Sequence, residues 1–467
     1  MTVRLLANGI TFWPPEYTVG PVHILIEDGV ISKVVSKPVA VEPSWEVFDL
    51  GGRLAVPGFV DAHTHLAQSF GRGIYDNLHL HEWLEAMVFN FELSDEELHD
   101  AVMLGCLEAL KSGTTCVSEM GSAREVATQA IIDSGLRASV CVGVGDTQEG
   151  NIPSEMTSDQ ALELTRAFYE RWNGAGDGRI RVLVAPVGLP GCSEELLRGC
   201  RALADEFGAA IQTHCCEGPT ETETAYDRFG CSEVEAWERF GVLAPDVALV
   251  HSVWLNERDK EIVAAHGCSV VHCPSTNTKI TDGIPPMADL HGLGVNISLG
   301  CDGASSSGTY DMLQEARLAS LLQKVWTMDA TVFKAEDVYH MLTMGGAIAA
   351  GWKDELGALE EGRLADITVI EYPAPHLIDE HRLLSNVVFN ATGGDVFAVF
   401  VGGRPLMWDR KLLGMDEEEV VGKILETMRR ADVNPKDYPS KRMDLPPVVS
   451  RDNWGYISRH WLKQGPA

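Results

Sequence analysis

The chain is poor in basic residues. Its 467 positions hold 37 Lys and Arg against 68 Asp and Glu, a formal net charge of −31. Gripping phosphates takes clustered cations, so this balance argues against a nucleic-acid partner, and an anionic membrane would repel it too. Paired cysteines at metal-binding spacing are also missing. The eleven cysteines, an odd number, are scattered without any C-x-x-C, which argues against a disulfide framework and a thiolate zinc site. No window approaches the ~18 consecutive apolar residues of a membrane span. Met1 to Tyr17, with one Arg and the pair Pro14-Pro15, resembles neither a signal nor a transit peptide. A cytoplasmic protein is the expectation. What is present, 45% hydrophobic and 22% charged residues, is the composition of a globular chain.

Strands buried on both faces read as short apolar runs bounded by turns and separated by helical stretches. Eight such runs occur: Leu54–His63, Thr114–Glu119, Arg137–Gly145, Ile180–Val187, Ala209–His214, Val247–Val253, Cys268–Cys273 and Val295–Leu299. Helical periodicity fills the gaps, as in Asp95–Lys111, with Ser94 placed to cap and Gly113 to stop, and in Glu194–Phe207. Eight β-then-helix units in series predict an α/β fold, a (β/α)8 TIM-type barrel over 56–355. The flanks, 1–55 and 356–412, alternate in the manner of short strands. Neither can bury a core alone, so the expectation is one small β-sandwich domain built from both chain termini. Residues 413–467 read as an acidic helix followed by an arm carrying Trp454 and Trp461.

Active sites of such barrels form at the C-terminal ends of the strands, and several runs end there in metal-ligand side chains. The first closes on His63-Thr64-His65, whose alternate residues point to one face. The fifth ends at His214, the sixth at His251 and the eighth at Asp302. Each element is common by itself, and a lone strand-end histidine is more often a hydrogen-bonded core residue. Together at one rim they are the donor set of a hydrolytic zinc or iron centre. His272, ending the seventh run, reads as structural or substrate-facing. For Cys215 and Cys216 the expectation is packing or lining.

These motifs resemble the amidohydrolase superfamily, in its branch of mononuclear aminohydrolases that includes cytosine deaminase, the S-adenosylhomocysteine and methylthioadenosine deaminases, guanine-type deaminases and s-triazine hydrolases. The resemblance runs from about Leu54 to Asp366. It rests on Pro57-Gly58-Phe59-Val60-Asp61-Ala62-His63-Thr64-His65, Thr213-His214 with Glu217 three residues on, Val250-His251-Ser252, Cys273-Pro274-Ser275-Thr276-Asn277, Gly300-Cys301-Asp302-Gly303 and Gly357–Asp366. It implies one divalent ion, zinc with iron(II) as the alternative, on His63, His65, His214 and Asp302. It also implies that Asp302 accepts a proton from water, His251 orients that water, and Glu217 carries a proton to the substrate. A carboxylate just after a strand is otherwise commonly a helix-start residue. The fourth run holds no lysine to bridge a second metal.

For the substrate, the resemblance assigns Gln68, Glu82 and Trp83 to binding, although a tryptophan at a helix start is as often core. The nucleoside deaminases carry a histidine after the fourth strand; here the stretch is Ala185-Pro186-Val187-Gly188-Leu189-Pro190. The expectation is therefore a deaminase of a compact nitrogen-rich compound: an aminotriazine, a guanylurea-like amidine or a nucleobase. The alternatives are a methylthioadenosine or S-adenosylhomocysteine type nucleoside deaminase, a hydrolase of a chloro- or alkylamino-triazine or cyclic amide, and a catalytically silent scaffold of the same fold. A small-molecule substrate and a homo-oligomer complete the expectations.

Overall fold

A computed structural model describes residues 2–89, 93–148 and 154–431. The arm with Trp454 and Trp461 lies outside them. The chain opens with five strands, β1 (Val3–Trp13), β2 (Thr18–Glu27), β3 (Val30–Val35), β4 (Glu46–Asp49) and β5 (Leu54–Pro57). Nine strands come next: β6 (Phe59–Thr64), β7 (Thr114–Gly121), β8 (Arg137–Val144), β9 (Ile180–Val182), β10 (Ala185–Pro186), β11 (Ile211–Cys215), β12 (Val247–His251), β13 (Ser269–His272) and β14 (Asn296–Leu299). The last four are β15 (Ile367–Ile370), β16 (Val396–Val401), β17 (Arg404–Trp408) and β18 (Lys411–Leu412).

The central strands pair in parallel as two sheets, β10-β8-β7-β6 with β9 on β8, and β11-β12-β13-β14. Every residue of β6, β12 and β13 is buried, as expected for strands covered on both faces. Single parallel bridges join the sheets at both seams, Val184 to Ile211 and Thr64 to Asp302. Hydrogen bonds close each seam: Val184 N–H to the Ala210 carbonyl at 3.0 Å, and Asp302 N–H to the His63 carbonyl at 2.8 Å. Helices lie between the strands where the periodicity placed them. Ser94 and Glu97 make a reciprocal capping box at the start of the helix Asp95–Lys111, and Glu194–Phe207 is a helix with Ser193 as its cap.

The run Leu54–His63 is two strands. Leu54–Pro57 leaves with the terminal strands, and Phe59–Thr64 pairs with β7. Gly58 makes the break: a Cβ there would lie 2.1 Å from the Thr115 hydroxyl oxygen, so only glycine allows the chain to cross from one sheet to the other so closely. The terminal strands, drawn from both flanks, form one nine-stranded sheet ordered β18-β17-β16-β15-β5-β1-β2-β3, with β4 on β1. One apolar cluster gathers Leu6, Ile24 and Ile31 from one flank with Ile367, Val369 and Phe400 from the other. Between β15 and β16 the chain also forms a helix, Leu383–Asn390, where the sequence suggested strand texture. Among the described residues no helix is long and apolar enough to cross a membrane.

A buried ion pair ties this sheet to the parallel strands. Arg137, first residue of β8, meets Asp366 through Nε at 2.8 Å and a terminal nitrogen at 3.0 Å, both side chains 3% exposed. Asp366 also accepts the Gly402 N–H at 2.7 Å, so one carboxylate locks the start of β8 to the β16–β17 turn. Removing one partner of such a pair strands the other charge in the interior, at a cost of about 3–5 kcal/mol. Asp366→Ala should accordingly lower the denaturant midpoint for loss of secondary structure, measured by circular dichroism; an unchanged midpoint would remove this pair from its joining role.

Candidate active site

The strand ends bring four of the sequence-marked groups together. His63 and His65 lie at and just past the end of β6, His214 on β11, and Asp302 three residues past β14. Ring centroids are 4.8 Å apart for His63 and His65, 5.0 Å for His63 and His214, and 5.7 Å for His65 and His214. One nitrogen from each ring lies within 4.8 Å of the other two. Asp302 Oδ1 approaches His65 Nε2 to 3.3 Å and His63 Nε2 to 3.6 Å.

Each of these rings is oriented by its other nitrogen. His65 Nδ1 faces the Met120 carbonyl at 2.6 Å and His214 Nδ1 the Val187 carbonyl at 2.7 Å. A carbonyl only accepts, so Nδ1 carries the proton in both rings. His63 Nδ1 faces Gln212 Oε1 at 3.0 Å. That amide's orientation is set because its nitrogen donates to the Ala62 carbonyl at 2.8 Å and to the Ser118 hydroxyl at 3.0 Å. In all three rings the Nε2 lone pair is left facing inward with Asp302, and His63 Nε2 is buried with no hydrogen-bond partner among the described residues. Burial first, then the neighbouring imidazoles, hold His63 well below the usual histidine pKa; burial, His251 and His65 push His214 down to about 3. Neutral imidazole is the form that binds a cation. Two ligands of a tetrahedral divalent ion at about 2.0–2.1 Å are spaced roughly 3.3 Å, close to the approach of Asp302 to His65. His63, His65 and His214 could therefore hold a divalent metal, with the Asp302 carboxylate beside them.

The remaining groups surround this centre. His251 Nδ1 faces Asn277 Oδ1 at 2.9 Å, and its Nε2 is 3.4 Å from Glu217 Oε1. His251, Asp302 and Cys216 all take left-handed backbone, at φ 69°, 61° and 49°. For non-glycine residues this costs about 1–3 kcal/mol each, and it turns the chain at the strand ends. Glu217 is held well above the ordinary carboxylate range, by burial first and then by Asp282 and Asp302. Beneath the site, Glu119 accepts from Thr64 Oγ1 and from Leu66 N–H, both at 2.8 Å, clamping the turn around His65.

A cavity of about 270 Å³ opens on this centre, near the lower end of the usual ~300–1000 Å³. Gln68 and Trp83 line it, with Leu80, Leu84 and Met87 forming an apolar wall. Gln68 is fixed by Ser305, whose hydroxyl donates to Oε1 at 2.6 Å. Glu82 is not among the lining residues. It shares the helix Leu80–Phe89 with Trp83, but the face turned to the cavity is the i, i+3, i+4, i+7 stripe Leu80, Trp83, Leu84 and Met87, which leaves Glu82 to one side. His272 is buried, its ring nitrogens have no partner among the described residues, and it is not one of the described residues lining the cavity. Cys215 and Cys216 do line it, as do Glu221 and Glu233, which makes four carboxylates with Glu217 and Asp302 and no Lys or Arg among the described lining residues.

Sequence reasoning misses the supporting groups Gln212, Asn277, Glu119 and Asp282. Gln212 had a signal, since it sits two residues before His214 on the same face of its strand. Backbone carbonyls such as those of Met120 and Val187 leave none. Because Gln212 fixes the His63 tautomer, Gln212→Leu should weaken divalent-metal affinity by about 10- to 100-fold, measured by competition with a chelator; unchanged affinity would show that His63 needs no such partner.

Residues 54–406 match the model of the amidohydrolase family. A 5-methylthioadenosine/S-adenosylhomocysteine deaminase of Desulforamulus reducens is 34% identical over 435 residues, covering 91% of this chain and 99% of that protein. A 5′-deoxyadenosine deaminase of Methanosarcina barkeri is 36% identical over 414 residues, covering 88% and 94%. Among solved structures, an adenosine deaminase from Xanthomonas campestris with bound zinc superposes with a TM-score of 0.85 at 26% identity, covering 92% of this chain and 98% of that one. With its histidine–aspartate centre and this breadth of likeness, the chain belongs to the amidohydrolase family.

Proposed function

We propose that the protein is a metal-dependent hydrolytic deaminase of an adenosine-type nucleoside, replacing the ring C–NH2 by C=O and releasing ammonia. The observation that carries the reading is the pairing of a histidine–aspartate centre with a largely buried Glu217, 3.4 Å from His251, in one cavity. Relatives at 34% and 36% identity named as nucleoside deaminases favour this substrate over the compact nitrogen-rich compound suggested by the missing histidine after the fourth strand. Val187 stands in that stretch and serves the centre through its carbonyl, on His214. The apolar wall at Trp83, Leu84 and Met87 suits a nucleoside with an uncharged 5′ group, and a cavity with no Lys or Arg among its described lining residues disfavours anionic ones.

The divalent ion, zinc in our reading, would lower the pKa of a water molecule so that it becomes nucleophilic near neutral pH. The protein's residues do the rest. Asp302 takes a proton from the attacking water, and His251 orients it. Glu217, its proton favoured by burial and by the nearby carboxylates, donates to the ring nitrogen next to the amino-bearing carbon, which makes that carbon electrophilic; the proton taken from water then leaves with the amine as ammonia, and the remaining hydroxyl proton passes to Glu217 as the C=O forms. Gln68 and Trp83 position the substrate. The frame is read as a closed (β/α)8 barrel over 56–355, supported by the parallel bridges at both seams. Residues 1–55 and 356–412 are read as a composite β-sandwich domain, and 413–467 as a C-terminal extension.

Glu217→Gln should retain its metal while turnover falls by roughly 100-fold or more, read by ammonia release alongside metal analysis; near-normal turnover would remove Glu217 from proton transfer. In a substrate panel, 5′-deoxyadenosine and methylthioadenosine should release ammonia faster than aminotriazines, guanylurea or free bases. The reverse order would return the compact-substrate reading.

A further inference from the structure

Immediately after His214 lies a second donor group that the deamination chemistry does not use. Cys215 ends β11, and consecutive side chains of an extended strand point to opposite faces. Cys216, at φ 49°, turns back on itself, so both thiols emerge on the same side with their Sγ atoms 3.8 Å apart. Glu233, first residue of the helix Glu233–Arg239, closes the group. One of its oxygens accepts the Cys216 N–H at 2.8 Å, which fixes the carboxylate beside the thiols. One ligand atom from each of the three residues lies within 4.8 Å of the other two. All three are buried, yet all three line the cavity.

The spacing is that of a thiophilic metal site. With zinc–sulfur bonds of about 2.3 Å, two thiolates of a tetrahedral ion lie about 3.8 Å apart, and the observed separation is 3.8 Å. Two sulfurs and one carboxylate oxygen are three protein ligands, leaving a fourth position toward the cavity. Sulfur donors select zinc or cadmium over magnesium and calcium. The absence of C-x-x-C spacing, which argued against a thiolate site, loses its force because the left-handed turn at Cys216 does for adjacent cysteines what that spacing does elsewhere.

We propose that Cys215, Cys216 and Glu233 form a second cation site in the wall of the substrate cavity, separate from the histidine centre and selective for zinc or cadmium. Binding exchanges one proton from each thiol for the cation, with both protons passing to solvent and no change in sulfur oxidation state. A filled site takes up part of the cavity beside Glu217, so excess zinc obstructs the substrate.

The test is a cadmium titration of the full chain preloaded with one equivalent of zinc, monitored by thiolate-to-cadmium charge-transfer absorption in the ultraviolet. A second equivalent should bind with that band. Cys215→Ser and Cys216→Ser should each bind it at least tenfold more weakly and with a diminished band, while the first equivalent stays on the histidines. Glu233→Gln should keep the band but weaken cadmium binding by about tenfold or more. No second equivalent in the unaltered chain overturns the proposal, whatever the variants do, and so does a band undiminished in both serine variants, which would leave the pair as buried packing only. The spectroscopic reading needs no substrate, so its failure is distinguishable from failure of the deaminase assignment.

Discussion

Three imidazole lone pairs pointed at one another and at a carboxylate are the constraint on which the site depends. The Met120 and Val187 carbonyls and the Gln212 amide oxygen each claim an Nδ1 proton, so no ring is free to turn its N–H inward. Asp302 then brings an oxygen to 3.3 Å from the His65 lone pair. Such a cluster, buried and uncompensated, is repulsive; a cation among the donors turns each repulsion into a bond. Much of the local backbone serves that end. The left-handed turns at His251 and Asp302 aim the side chains, and Gly300 leaves room where a Cβ would lie 2.9 Å from the His63 Cβ.

The same concentration of charge shapes the neighbours. Glu217 lies among carboxylates and away from bulk water, and this raises its pKa well above the ordinary carboxylate range. The acidity of the whole chain therefore acquires a local meaning. Most of the surplus is solvent-facing, while four carboxylates stand in the cavity wall with no described Lys or Arg beside them. A neutral, nitrogen-rich substrate enters such a space more readily than an anion.

The strand ends that carry chemistry were legible because parallel strands advertise themselves as apolar runs and bring their C-terminal residues to one rim. His63, His65, His214 and Asp302 could be found that way, and the structure brings them together. The helices at Asp95–Lys111 and Glu194–Phe207 were legible through their periodicity, the first also through its Ser94 cap. The break at Gly58 was not, since Leu54–His63 is uniformly apolar and only the closeness of Thr115 makes the glycine a junction. Nor could helical rotation be read for Glu82 and Trp83 without knowing which of them faced the cavity. The missing histidine after the fourth run pointed to a compact substrate, whereas the relatives favour the nucleoside alternative.

The most direct measurement is to incubate the zinc-loaded protein with 5′-deoxyadenosine in heavy-oxygen water and track ammonia together with the mass of the product. One ammonia should be released per product molecule and one labelled oxygen should enter the ring carbonyl, with both lost on metal removal and restored by zinc. Product formation that continues unchanged without metal, or a product without the label, would contradict a metal-dependent hydrolytic deamination.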